Sequence, residues 1–134
     1  MHWKRTVKKW CRKYNLVVPL LLTEKELREA IKIDSGDIST AINKYLAKDN
    51  DEYYGQTLEI DIEDEGKMVI ITMNEDQIHG RRQLRQTMSH EFLHQFIIQK
   101  NLYSDKDEEF IERLLEKYDK LPIHKAVEML LKKE

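Results

Sequence analysis

The sequence has few of the residues that build cysteine-based sites. Its 134 residues include a single cysteine, Cys11. One cysteine excludes an internal disulfide, and it excludes zinc or iron–sulfur sites that need several thiolates. A metal ion in this chain would therefore depend on histidine and carboxylate ligands, and five histidines are available.

Long hydrophobic runs are also missing. The longest covers residues 16–22 and contains Pro19, whereas a membrane-spanning helix needs about 20 apolar residues. No small-residue cleavage site follows this run, so it differs from a secretory signal. We expect a cytoplasmic protein without membrane insertion.

Neither sign of charge dominates the chain, whose formal net charge is -2. The two signs are nevertheless segregated, because residues 4–13 hold six cations and no acid while residues 49–65 hold eight acids and no base. Within the basic segment, apolar side chains recur at helical spacing, which predicts a basic amphipathic helix. Such a helix can bind nucleic acid or another anionic surface. We favour the simpler interpretation, in which its charged face is solvated and its apolar face packs on the protein.

Repeats and flexible linkers are absent from the sequence, which predicts one domain over residues 1–134. Its parts would be a helical N-terminal part (1–50), a core (51–121) and a C-terminal helix (122–134). In the first part, Thr23 and Glu26 form a capping box for a helix over residues 24–32. A break at residues 34–37 precedes another predicted helix, whose apolar stripe is Ile38, Ile42, Tyr45 and Leu46.

Two strands and three helices are predicted for the rest. Apolar and acidic residues alternate over residues 58–62, and residues 68–73 are more continuously apolar, so we expect an antiparallel hairpin with the second strand more central. The turn between them is Glu65-Gly66. Helical spacing then covers residues 81–99 and 105–118, and Pro122 opens a last helix. The fold class predicted from these elements is α+β.

The long central helix carries the HExxH pattern, formed by His90, Glu91 and His94. Imidazoles four residues apart lie on one helical face, so both can bind a single Zn²⁺. Zinc lowers the pKa of a bound water toward about 7 and polarises a carbonyl under attack. Glu91 is then placed to accept the proton of that water as a general base.

A catalytic zinc site needs a third protein ligand and an open position. The downstream candidates are Glu108, Glu109, Glu112 and His124. Glu108 precedes Ile111 and Leu115 by three and seven residues, so it shares their helix face, whereas Glu109 is turned about 100° away. We therefore favour Glu108 as the third ligand. Glu112, one turn later, could hydrogen-bond a ligating imidazole.

Several segments resemble the minimal gluzincins of the ImmA/IrrE type, most closely the small phage-encoded members. The matching segments are the strand at residues 70–74, the basic approach at 81–83, Gln86-Thr87 with the motif that follows at 88–94, and the helix at 108–114. The resemblance spans roughly residues 54–118. It implies a small zincin-like domain and a zinc-dependent endopeptidase with His90 and His94 as ligands, Glu91 as base and a downstream Glu as third ligand. It also implies regulated cleavage of a partner protein such as a repressor.

Substrate-binding residues are less defined by the sequence. Zincins bind a peptide as an added strand on a sheet edge, and the acidic strand is one candidate edge, although its charges also block aggregation. A side chain that stabilises the tetrahedral oxyanion is required. The candidates are Tyr53, Tyr54, His79, Arg81 and Tyr118, and the sequence does not choose among them.

A second class of function fits the first half of the chain. The helices over residues 24–46 followed by a hairpin resemble a winged helix-turn-helix of the MarR kind, in which residues 38–48 would enter the major groove. The acidic wing argues against it, because phosphate contacts demand cations, and HExxH stays unexplained. A catalytically inactive zincin-fold interaction module is a third alternative.

Overall fold

A computed structural model describes residues 2–33, 54–62, 66–118 and 120–132 of this chain. Within these residues the fold is mixed α+β, with five α-helices and one three-stranded sheet. This confirms the predicted fold class. The chain divides into two compact units, a sheet unit of Pro19–His79 and a helical unit of Met1–Val18 and Gly80–Glu134. The single domain over residues 1–134 stays a prediction.

The sheet unit is built from β1 (Leu20–Thr23), β2 (Gly55–Ile62) and β3 (Gly66–Met73). The order β1-β3-β2 puts β3 at the centre. β2 and β3 are antiparallel, with Leu58 opposite Ile70, so the predicted hairpin and its central second strand are confirmed. β1 pairs with β3 in parallel and was not predicted, because its short uniformly apolar segment lacks the alternation that identifies a strand.

Helix α2 (Glu24–Ile33) begins at the predicted capping box. The backbone N–H of Thr23 donates to Glu26 Oε1 over 2.9 Å, and the N–H of Glu26 donates to Thr23 Oγ1 over 3.1 Å. These bonds satisfy donors that the first helical turn leaves open. On the inner face, Leu27 packs with Leu58, Ile60 and Ile70 in one buried cluster. The cap and this cluster together fix α2 on the sheet.

The helical unit contains α1 (Trp3–Lys13), α3 (Arg81–Lys100), α4 (Asp107–Lys117) and α5 (Ile123–Leu131). All four were predicted. The observed ends of α3 and α4 lie within two residues of the predicted ones, whereas the last helix, predicted over residues 122–134, ends at Leu131. Each helix buries one stripe, which includes Val7 in α1, Ile111 in α4 and Ala126 in α5, all fully buried. α3 is buried over a wider arc, which is the pattern of a central helix.

Helix α1 packs against α3 through aromatic rings. The ring centroids of Trp10 and Phe92 are 5.3 Å apart in an edge-to-face arrangement, and those of Tyr14 and Phe96 are 5.9 Å apart. Such pairs add stabilisation beyond the area that they bury. Phe92 follows His90 by two residues, which places it about 160° around α3 from the histidine face. α1 therefore covers the side of α3 that faces away from the HExxH histidines.

Some predicted features lie outside the described residues. These are the break at 34–37, the helix with Ile38, Ile42, Tyr45 and Leu46, the major-groove segment 38–48, Tyr53 and Glu65 of the hairpin turn. Among the helices that the structure describes, none has both the length and the apolar character that crossing a bilayer would require.

Candidate metal centre

The two motif histidines lie side by side on one face of α3. His90 and His94 are one turn apart, and their ring centroids are separated by 4.9 Å. Their side chains are 21% and 23% exposed, so each ring is packed on one side and reachable by solvent on the other. A helix without glycine or proline over this stretch holds the spacing rigidly.

The chain then reverses to bring a carboxylate to the histidines. Asn101 ends α3 in the left-handed conformation with φ of 57°, which asparagine tolerates better than most residues. The N–H of Leu102 donates to the carbonyl of Ile97 over 2.9 Å, closing the last turn. Just before α4, the N–H of Ser104 donates to the carboxylate of Asp107 over 2.8 Å. This bond ties the loop before α4 to the first residue of the helix, next to Glu108.

Glu108 bridges the two imidazoles. Its Oε1 lies 2.9 Å from Nε2 of His90, and its Oε2 lies 2.5 Å from Nε2 of His94. Among the described residues these three side chains are the group that could hold a metal ion, with ligand atoms all within 4.8 Å of one another. The alternatives Glu109 and His124 are not part of this group.

The donor set fits a tetrahedral zinc ion. Zinc–nitrogen and zinc–oxygen bonds of about 2.0–2.2 Å at tetrahedral angles place neighbouring ligand atoms about 3.3–3.5 Å apart. The observed separations of 2.9 and 2.5 Å between Glu108 and the imidazoles differ from this by less than about 1 Å. Small rotations of an exposed glutamate side chain can supply that difference. Three protein ligands also leave a fourth position open.

The site's electrostatics favour the protonation states that a cation needs. Burial lowers the pKa of His90 below its ordinary 6.5, and although Glu108 opposes this, the net shift is downward. Partial burial raises the pKa of Glu108, but the nearby His90 and His94 together outweigh it, so this pKa lies below the ordinary 4.5. A neutral imidazole and an ionised carboxylate are the forms that bind metal.

Glu112 lies one turn after Glu108 and contacts its carboxyl group. A hydrogen bond with Glu108, followed by repulsion from the same group, raises the pKa of Glu112. Its predicted hydrogen bond to an imidazole stays a prediction.

Glu91 is the buried carboxylate of the motif, with only 6% of the residue exposed. It lies on α3 directly after His90, turned by about 100° around the helix. Aspartate and glutamate are almost never this buried without a structural or chemical reason. A carboxylate next to the histidine pair is suited to accept a proton from water.

Neither oxyanion candidate of the helical unit adjoins the histidines along its helix. Arg81 precedes His90 by nine residues on α3, which is about 13 Å along the axis, and Tyr118 follows the end of α4, ten residues after Glu108. Tyr54 and His79 belong to the sheet unit.

Two buried polar residues that support the centre were not predicted. Gln95, fully buried beside His94 in sequence, donates from Nε2 to the carbonyl of Val17 over 3.1 Å and contacts the Cys11 thiol. Asp107, the buried first residue of α4, accepts a hydrogen bond from the N–H of Ser104 directly before Glu108. The pattern Ser104-x-x-Asp107 resembles a capping box and could have revealed Asp107, whereas no sequence signal identifies Gln95.

The chain matches no known protein family, no curated protein and no solved structure in comparisons with each. The interpretation of this centre therefore depends on its own residues and geometry.

Proposed function

We propose that this protein is a zinc-dependent metallo-endopeptidase of the gluzincin type, with a minimal zincin core similar to that of the ImmA/IrrE enzymes. His90, His94 and Glu108 hold the metal, and Glu91 is the general base. The observation that carries the proposal is the approach of Glu108 to Nε2 of both motif histidines, at 2.9 and 2.5 Å. Glu108 is fourteen residues from His94 in the sequence, so the folding of the chain brings the two side chains together.

The choice of zinc follows from the chemistry of the ligands. Two imidazoles and one carboxylate form the ligand set that catalytic zinc sites of peptidases use, with one position left for water or substrate. Calcium and magnesium prefer six or more oxygen ligands, which this group does not offer. Zinc bound here would lower the pKa of water and polarise a carbonyl.

The chain's own residues then carry the proton transfers. Glu91 accepts a proton from the water that attacks the peptide carbonyl carbon, and the tetrahedral adduct retains the new C–O bond. Glu91 returns that proton to the amide nitrogen as the C–N bond breaks, giving a carboxylic acid and an amine.

The substrate is a protein or peptide. A regulatory partner such as a phage repressor follows from the family resemblance, which concerns residues 86–94 most strongly. Site shape agrees with an extended substrate, because the histidines lie on the surface of a helix rather than inside a closed cavity, each ring being about one-fifth exposed.

Two measurements test the proposal. Protein purified without chelators should contain about one zinc per chain, and the double variant His90→Ala, His94→Ala should contain none. Zinc-loaded protein should cleave a complex peptide mixture in H₂¹⁸O, and each new carboxyl terminus should carry the label. Glu91→Gln should keep the zinc and lose cleavage, because the amide cannot accept the proton.

Metal-free wild type with an intact fold would refute the metal site. Cleavage by Glu91→Gln at the wild-type rate would refute the role of the base, and zinc-loaded wild type that cleaves nothing in the mixture would refute peptide hydrolysis. Glu109→Gln is the control. It makes the same Glu-to-Gln change at an exposed acid next to Glu108 that does not belong to the ligand group.

A further inference from the structure

Helix α1 carries a stripe of cations on its outer face. We define this basic stripe as Arg5, Lys8, Lys9 and Arg12, whose spacing of three and four residues aligns them along one side of the helix. All four are exposed. Beside them, a hollow of about 540 Å³ is lined by His2, Lys4, Arg5, Lys8 and Arg12.

Nothing in the described chain neutralises the basic stripe. None of its four side chains forms an ion pair with a carboxylate of the described residues, and the sequence contains no acid before Glu24. Like charges one helical turn apart repel each other. A row of mutually repelling cations with no partner carboxylate is the electrostatic pattern of an anion-binding surface.

The opposite face of α1 is already occupied. Trp3, Val7 and Cys11 are 1%, 0% and 0% exposed, and they lie about 150° around the helix from the centre of the basic stripe. An amphipathic helix that binds a membrane inserts its apolar face, and protein interfaces depend on apolar or aromatic anchors. Neither is available on the stripe, because Trp3, Val7 and Cys11 are buried and the partly buried Trp10 packs on Phe92.

What remains outside is a straight row of closely spaced cations. Lys8 and Lys9 lie about one helical turn after Arg5, and Arg12 lies about one turn further on, at steps of about 5 Å along the axis. A polymer with dense, regularly spaced phosphates matches such a row, and two arginines can each bind a phosphate bidentately. The stripe holds no asparagine or glutamine that would read base edges, so contact with the backbone should be independent of sequence.

The stripe and the metal centre lie on opposite sides of the helical unit. α1 covers the Phe92 side of α3, about 160° from His90, and the stripe faces outward from α1. We propose that the basic stripe binds the phosphate backbone of duplex nucleic acid, leaving the face with His90, His94 and Glu108 free at the same time. This proposal does not depend on catalysis or on zinc.

The test is the salt dependence of duplex binding. It is measured in EDTA by the fluorescence anisotropy of a labelled 20-base-pair DNA to which the full chain is added. Four phosphate contacts predict a slope of about -3.6 in log K against log salt, or about a 150-fold loss of affinity between 50 and 200 mM. The variant Arg5→Gln, Lys8→Gln, Lys9→Gln, Arg12→Gln should lose this binding. Glutamine is a good helix former and relieves the repulsion, so the variant should fold, as circular dichroism would check.

A matched control removes the same charge elsewhere. The substitutions Lys25→Gln, Lys100→Gln, Lys106→Gln and Lys132→Gln affect exposed lysines outside α1 and should leave the slope unchanged. The proposal is overturned if wild type does not bind duplex at 50 mM salt, or if the control variant weakens binding as much as the stripe variant. Equal affinity for polyglutamate, which has no phosphate, or for phosphatidylserine vesicles, whose phosphodiesters are not linked into a polymer, would also overturn it.

Discussion

Zinc should stabilise the folded protein, and Glu108 should account for most of that stabilisation. A ligand that binds only the native state adds RT ln(1 + [L]/Kd), which is about 2.7 kcal/mol at a free concentration of 100 Kd. Unfolding entropy of about 2.1 cal/mol/K per residue over 134 residues converts each kcal/mol into about 3.6 °C. Zinc at this concentration should therefore raise Tm by about 10 °C.

Glu108→Ala removes one of three ligands and leaves two imidazoles 4.9 Å apart between ring centroids. Loss of a residue that merely orients a ligand weakens metal affinity about 10–100-fold, so loss of a ligand should weaken it by at least about 100-fold. At the same zinc concentration the stabilisation then falls to about RT ln 2, or about 0.4 kcal/mol. The expected rise in Tm is about 1–2 °C.

Glu109→Ala is the control, because both glutamates lie in the first turn of α4 and both favour the helix dipole there. The two variants lose the same charge, and the zinc-induced shift of each is measured against the same variant in EDTA, because Glu108 also contacts both histidines without metal. Differential scanning calorimetry measures the Tm of each variant in EDTA and in buffered zinc. Equal zinc-induced shifts for the two variants would refute the assignment of Glu108, and a larger loss for Glu109→Ala would identify the other carboxylate as the ligand.

Three further predictions concern the support of the site. Asp107→Ala should lower the free energy of unfolding by about 1–3 kcal/mol, because the N–H of Ser104 loses its charged acceptor, and an unchanged urea midpoint would contradict this. Phe92→Ala should cost about 3–5 kcal/mol in the same titration, since the ring is fully buried; a cost below about 1 kcal/mol would mean that α1 does not pack there. Because the pKa of His90 is lowered from 6.5 in the folded protein, metal-free protein binds fewer protons than its unfolded chain, so its stability should fall as pH drops below 6.5. His90→Asn should show a smaller fall in Tm between pH 7.5 and 5.5, and an equal fall would contradict the prediction.

The parts of the fold that were predictable have local causes. The capping box of Thr23 and Glu26 places the start of α2 without any knowledge of the rest of the chain. Alternation at Leu58 and Ile60 identifies β2, and helical spacing identifies α3 with its two histidines. The preference for Glu108 over Glu109 followed from helix register alone, and it is Glu108 that meets the histidines.

The parts that were not predictable depend on distant residues. β1 is a strand because β3 offers it a row of backbone partners from Ile70 to Met73, and its own four residues do not determine that. Gln95 would be an ordinary polar residue on an exposed helix; it is buried because the carbonyl of Val17 reaches it across 78 residues of chain. Tertiary packing decides both outcomes, and single-residue propensity cannot anticipate it.

The packing of α1 on α3 has a consequence for the order of folding. The thiol of Cys11 and the amide of Gln95 are 84 residues apart in sequence, so α1 leaves the ribosome long before the helix that covers it. Closing a loop of that length carries an entropic cost that has to be met before its contacts form. The whole of Pro19–His79 is synthesised in between, and the sheet unit can pair its strands during that time. The HExxH helix can therefore pack only late in synthesis. Trp10 and Tyr14 cannot contact Phe92 and Phe96 before that stage.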